Sequence, residues 1–117
     1  MSQKDTPWGA EEFIINTDIK NEEKYGNLVI KKSIVELGEM TELERHRKAN
    51  VILYVLKGAI NLRSDDDFYE LVEGESHFIE SNLPHQIENL EDGVSEVLKI
   101  IFPFNKDDVD ILENPYE

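Results

Sequence analysis

Two short stretches of this chain carry residues that could do chemistry. The first is Glu44-Arg45-His46, at the head of LERHRKANVILYVLKG (43–58). Side chains alternate along an extended strand, so Glu44 and His46 project from the same face. The second is His85, which opens the run HQIEN directly after Pro84. If the two segments lie side by side, one carboxylate and two imidazoles converge. That donor set suits divalent zinc, manganese, iron or nickel, with positions left open for water or a substrate. On spacing alone, the solvated end of an ordinary strand is the better reading, because Glu and His two apart recur by chance in so acidic a chain.

The other candidates have plainer readings. Arg47 and Lys48 beside His46, with Arg45, form the one dense basic cluster. They could hold a phosphate or carboxylate, or simply balance the surrounding acid. Regular alternation turns Arg47 away from the face of His46. His77, between Ser76 and Phe78, reads as a surface histidine. Asp65, Asp66 and Asp67 read as a solvated hairpin tip rather than a calcium loop. Pro7-Trp8-Gly9 sets the single tryptophan in a turn, as a plug against the core. The chain has no phosphate-binding glycine loop and no nucleophile elbow. It has no cysteine, which excludes thiolate chemistry and disulfides.

These residues need elements to position them. Turn signals recur at Tyr25–Asn27, Leu37–Glu39, Leu56–Gly58, Ser64–Asp67, Glu73–Glu75, Asn82–Pro84 and Glu91–Gly93. Between them lie β-branched and aromatic runs: NLVIKKSIVEL, VILYVL, AINLRS, FYELV, SHFIES, HQIENL and VSEVLKIIF. Many short strands at near-regular spacing predict a sandwich or barrel of antiparallel strands. VILYVL alternates little, so coverage on both faces is expected. His85, Ile87 and Asn89 share one face of their run, and Gln86 and Glu88 the other. The segment KDDVDILENPYE is expected to form one helical turn or a docked tail.

Length and charge bound the rest. A chain of 117 residues with 39% hydrophobic content supports one modest core. The division expected is an N-terminal arm with the first strands over 1–24, a barrel core over 25–104 and a C-terminal tail over 105–117. Asp plus Glu number 26 against 12 Lys plus Arg, a net charge of −14. Nucleic acid and anionic membrane surfaces both select basic patches, so neither is an expected partner. No apolar run is long enough to cross a membrane as a helix, and the first residues lack the apolar segment of a secretory signal. A cytoplasmic location is the expectation.

The blocks GEMTELERHRKANVILYVLKG and GESHFIESNLPHQIEN resemble the two motifs of the cupin superfamily. Gly38, Glu44, His46 and Gly58 fall at first-motif places, and Gly74, His85 and Asn89 at second-motif places. Glu80 and Asn82 replace the second motif's inner Pro and Gly. Pro7-Trp8-Gly9, KKSIVELG, HQIEN and DDVDILENPYE further resemble the cupin domain of type II mannose-6-phosphate isomerase. The resemblance implies a double-stranded β-helix (jelly-roll barrel), a homodimer, and a divalent metal held by Glu44, His46 and His85. It implies a small-molecule ligand, a sugar or sugar phosphate.

The departures are specific. The family's first-motif glutamate falls at Asn50 or Val51. Asn50 offers only a neutral carbonyl oxygen as a fourth ligand, and Glu44 would have to supply the carboxylate instead. Ala49 and Gln86 stand where the isomerases carry arginines. Arg47, Lys48 and Gln86 are left as ligand-binding candidates, with no general base beyond Glu44. The expectation is a cupin that binds a metal, a small ligand or both. An active isomerase, or another metal-dependent cupin enzyme such as a dioxygenase, decarboxylase or lyase, is the alternative, as is a module that holds no metal.

Overall fold

The computed structural model describes residues 2–16, 28–90, 92–103 and 108–112. The turn expected at 25–27, Glu91, and the tail residues 105–107 and 113–117 lie outside them. Eleven strands are described: β1 (Ser2–Thr6), β2 (Gly9–Asn16), β3 (Val29–Val35), β4 (Leu43–His46), β5 (Asn50–Lys57), β6 (Ala59–Ser64), β7 (Asp67–Val72), β8 (Ser76–Ile79), β9 (His85–Glu88), β10 (Ser95–Phe102) and β11 (Val109–Leu112). They form two antiparallel sheets, ordered β1-β2-β3-β10-β5-β8 and β11-β4-β9-β6-β7. Among the described residues no helix is long and apolar enough to cross a membrane.

Alternation decides what faces inward. On β5, Val51, Leu53 and Val55 are buried, and on β10, Val97, Lys99 and Ile101. From the other sheet come Ile60, Leu62 and Leu71 of the β6–β7 hairpin and Ile87 of β9. Each of the apolar side chains among these contributes about 1.5–3 kcal/mol when fully buried. The hairpin turns at Asp65, which adopts a positive φ of 56°, as the acidic tip predicts.

One expectation changes, and one left open between two alternatives is decided. VILYVL is not covered on both faces: Tyr54 and Leu56 are each 39% exposed. Only the inward residues of β5 meet the second sheet, and the outer face of the six-stranded sheet has no layer over it among the described residues. In the C-terminal segment, the described residues Val109–Leu112 form a docked strand rather than a helical turn. Val109–Leu112 pairs antiparallel with β4, His46 opposite Val109 and Glu44 opposite Ile111. The edge of β4 offers that segment hydrogen bonds that an isolated turn of helix lacks. The described part of the N-terminal arm is a β1–β2 hairpin, and β2 pairs with β3.

Gly9 shows why the N-terminal turn needs glycine. Its φ is 150°, and a Cβ there would overlap the Ile34 carbonyl oxygen of the neighbouring strand. The adjoining Trp8 is buried, and its indole N–H donates to Glu42 Oε2 at 2.9 Å. This plug therefore also ties the N-terminal hairpin to the segment that leads into β4.

Candidate metal centre

β4 and β9 are neighbours in the five-stranded sheet, and Glu44 pairs directly with His85 across them. Three side chains meet on the inner face. Glu44 Oε1 lies 3.4 Å from His85 Nε2 and 3.8 Å from His46 Nε2. One ligand atom from each of Glu44, His46 and His85 lies within 4.8 Å of the others. The two imidazole rings stack at 5.8 Å between centroids, 17° from parallel. Two donors each about 2.1 Å from one ion at a tetrahedral angle stand roughly 3.4 Å apart, which is the spacing of Glu44 and His85.

The donors are buried and orphaned. Glu44 Oε1, His46 Nδ1 and Nε2, and His85 Nε2 have no hydrogen-bond partner among the described residues. Buried polar atoms of native proteins are normally paired, so four such atoms in one cluster call for an explanation. His85 Nδ1 lies 3.3 Å from the Leu83 carbonyl. A proton on Nδ1 there leaves the Nε2 lone pair directed at the cluster, the outer-shell arrangement that orients a metal-binding imidazole. Burial pushes the His85 pKa down and outweighs the nearby Glu44 carboxylate, favouring the neutral, ligating form.

Burial acts on Glu44 in the opposite direction and would raise its pKa. The Lys99 ammonium, first among the groups that favour the ionised form, overcomes it with help from Lys31 farther off. The carboxyl is held well below its ordinary value, hence ionised. Lys99 Nζ stands 3.6 Å from Glu44 Oε1. Burial lowers the pKa of Lys99 despite that carboxylate. A carboxylate and two imidazoles whose Nε2 atoms face it are a donor set that fits a divalent cation.

The remaining candidates lie elsewhere. Asn50 Oδ1 accepts the Ser81 N–H at 3.0 Å, and Asn50 sits on the opposite face of β5 from buried Val51, so it does not join the cluster. Arg47 is half-exposed, 3.8 Å from Asp110. Lys48 is exposed, and its backbone N–H is held by the Asp108 carboxylate at 3.0 Å. Gln86 is buried but faces away from the triad. Its Nε2 donates to the Thr41 carbonyl at 2.8 Å, and its Oε1 accepts from Arg63 at 2.7 Å. It cross-links the sheet, which is why so polar a side chain is fully buried. His77 of β8 meets Tyr69 of β7 in the other sheet, with ring centroids 4.4 Å apart and the rings tilted by 39°.

Sequence reasoning missed Lys99. The signal was present: in VLKIIF, Val97, Lys99 and Ile101 share a face by alternation, and two large apolar residues around a lysine mark an inward position. It also missed the function of Asp108. That carboxylate accepts the backbone N–H groups of Lys48 at 3.0 and 3.1 Å and of Ala49 at 3.0 Å. It thereby fixes the bend between β4 and β5 just after His46.

Comparison with known proteins agrees with this architecture. The family model described as Cupin domain matches residues 32–101. An uncharacterized protein of Methanocaldococcus jannaschii, MJ1618, is 30% identical over 83 residues, covering 70% of this chain and 66% of that protein. Among solved structures, the chain resembles KdgF from Halomonas sp. with a TM-score of 0.75 at 18% identity, over 92% of this chain and 90% of that one. It also resembles an oxalate decarboxylase from Lactobacillus farciminis, solved as a formate complex, with a TM-score of 0.81 at 16% identity. That match covers 96% of this chain and 33% of the decarboxylase. The two antiparallel sheets, the inward triad at the motif positions and the family match over most of the sheet-forming sequence lead to one conclusion: this chain belongs to the cupin family.

Proposed function

We propose that this cupin binds a divalent metal ion through Glu44, His46 and His85, and a small sugar-like ligand in the barrel beside it. The observation that carries the reading is the cluster of four buried donor atoms without hydrogen-bond partners among the described residues. Each such atom costs about 1–3 kcal/mol when left unsatisfied, and one ion takes three of them, Glu44 Oε1, His85 Nε2 and one nitrogen of His46, because the two nitrogens of one imidazole point apart. Bound there, a metal polarises a ligand carbonyl and offers open coordination positions. Around it, His85 is oriented by the Leu83 carbonyl, and the β4–β5 bend carrying His46 is held by Asp108.

Turnover as a sugar-phosphate isomerase is the second reading. It is favoured by His46 and His85 at the motif positions and by the Trp8 turn bonded to Glu42, two residues from Glu44. Against it, Ala49 and Gln86 replace the family's arginines, Arg47 and Lys48 lie outside the cluster, and Glu44 as a ligand is not free to act as the proton-transferring base. A metal-dependent reaction on another substrate fits the same triad. A homodimer belongs to this reading too. Tyr54, Leu56 and Phe78 (51% exposed) stand on the outer face of the six-stranded sheet, beside half-buried Leu98 and Ile100 of β10.

The test is elemental mass spectrometry of untagged protein beside a His46→Ala/His85→Ala variant. Near-stoichiometric metal that disappears in the variant is the expected result. A wild-type protein that holds none after incubation with iron(II), manganese(II), nickel(II) and zinc(II) overturns the reading.

A further inference from the structure

A metal at the triad leaves Lys99 without a role. This lysine is 3% exposed, and its Nζ faces Glu44 Oε1 at 3.6 Å, the same oxygen that both imidazole Nε2 atoms face. Packing does not call for it. Its inward neighbours on β10 are Val97 and Ile101, and an aliphatic side chain would continue the core. A buried ammonium costs several kcal/mol unless it is matched by opposite charge. Lys99 comes from the six-stranded sheet and the triad from the five-stranded one. Cation and donors thus close on the interior from opposite walls.

The local charges show what is missing. Glu44 matches Lys99. On β2 and β3, Glu11 and Lys31 match each other at 3.1 Å. Glu42, whose carboxylate takes the Trp8 indole N–H, is the remaining acid acting on Lys99. A divalent cation at the triad therefore leaves an excess of positive charge in an interior where water does not screen it. A neutral polyol cannot offset that excess.

We propose that the barrel takes a small anionic oxygen ligand, such as a hydroxy acid or sugar acid, whose carboxylate is held jointly by the metal at Glu44, His46 and His85 and by the ammonium of Lys99. This rests on the metal reading above and adds to it the charge of the ligand and the residue that selects it. Lys99 also has a second effect: its charge opposes metal entry, so the metal is held less tightly until the anion arrives.

The test uses cobalt(II), whose visible absorption reports its coordination. Cobalt(II) is titrated into the metal-free protein, then glycolate, or neutral ethylene glycol, into the loaded protein. Wild type is compared with Lys99→Met and with Lys99→Gln, which keeps a polar head if the methionine variant fails to fold by circular dichroism. Wild type is expected to bind glycolate at least tenfold more tightly than ethylene glycol. The neutral variants should lose glycolate affinity at least tenfold and gain cobalt affinity by a similar factor. Equal glycolate affinity in wild type and the variants, or no saturable glycolate response in loaded wild type, overturns the anion site and leaves the metal reading standing. A wild type that does not bind cobalt removes both.

Discussion

Replacing Glu44 with glutamine keeps the side chain's size and removes one charge from the centre of the cluster. In the metal-free protein its principal partner is Lys99, at 3.6 Å, with the carboxylate 13% and the lysine 4% exposed. Coulomb attraction at that distance is about 4–5 kcal/mol at an effective dielectric of roughly 20. Desolvation offsets much of it in the intact pair, but removing one partner strands the other, which typically costs about 3–5 kcal/mol. Glu44→Gln is therefore expected to lower the stability of the metal-free fold by about 3 kcal/mol, a fall in Tm of roughly 10–15 °C for a domain of this size. Adding Lys99→Met should recover most of that loss, because the stranded charge is gone. Urea titration in chelator, followed by the fluorescence of buried Trp8, measures both. A Glu44→Gln loss below about 1 kcal/mol, or a double variant whose loss equals the sum of the singles, would refute the ion pair and with it the charge reasoning around Lys99.

Three further outcomes are expected. His85 is neutral in the fold because burial lowers its pKa from 6.5, so the unfolded chain binds the extra proton. Metal-free stability should be fully present above pH 6.5 and fall on acidification, with a slope of at most about 1.4 kcal/mol per pH unit from this residue; chemical denaturation at pH 7, 6 and 5 should show a flatter slope in His85→Gln. Asp108→Ala removes the acceptor for the Lys48 and Ala49 N–H groups at the β4–β5 bend and should cost about 2 kcal/mol, with weaker metal retention because His46 loses its anchor, read by denaturation and metal analysis together. Tyr54→Asp/Phe78→Asp charges the outer face of the six-stranded sheet; light scattering should find wild type as a dimer and this variant as a monomer with an unchanged circular dichroism spectrum.

The strands themselves were legible because their signal is local. The runs between turn residues become β3 and β5 to β10, and the two-residue period already set Glu44 and His46 on one face and Gln86 opposite His85. The same period puts Lys99 on the inward face of Val97 and Ile101, but that position was not read from the sequence. A buried cation with its partner 55 positions away leaves no other local trace. Fine assignments at single positions were beyond local pattern. Asn50 is taken by Ser81, and Gln86 is taken by Thr41 and Arg63; each partner sits on a segment distant in sequence.

Thus the residues alone determined that this is a strand-built, acidic, cysteine-free domain, and which side chains share a strand face, since pleat and turn chemistry act over a few residues. Only tertiary structure decided that Glu44 lies opposite His85, that β11 rather than a helical turn closes the edge of β4, and that Lys99 reaches the triad from the other sheet. Those are pairings between distant segments. Their register is set by which faces can be buried together, a property of the assembled sheets that no single stretch of sequence contains.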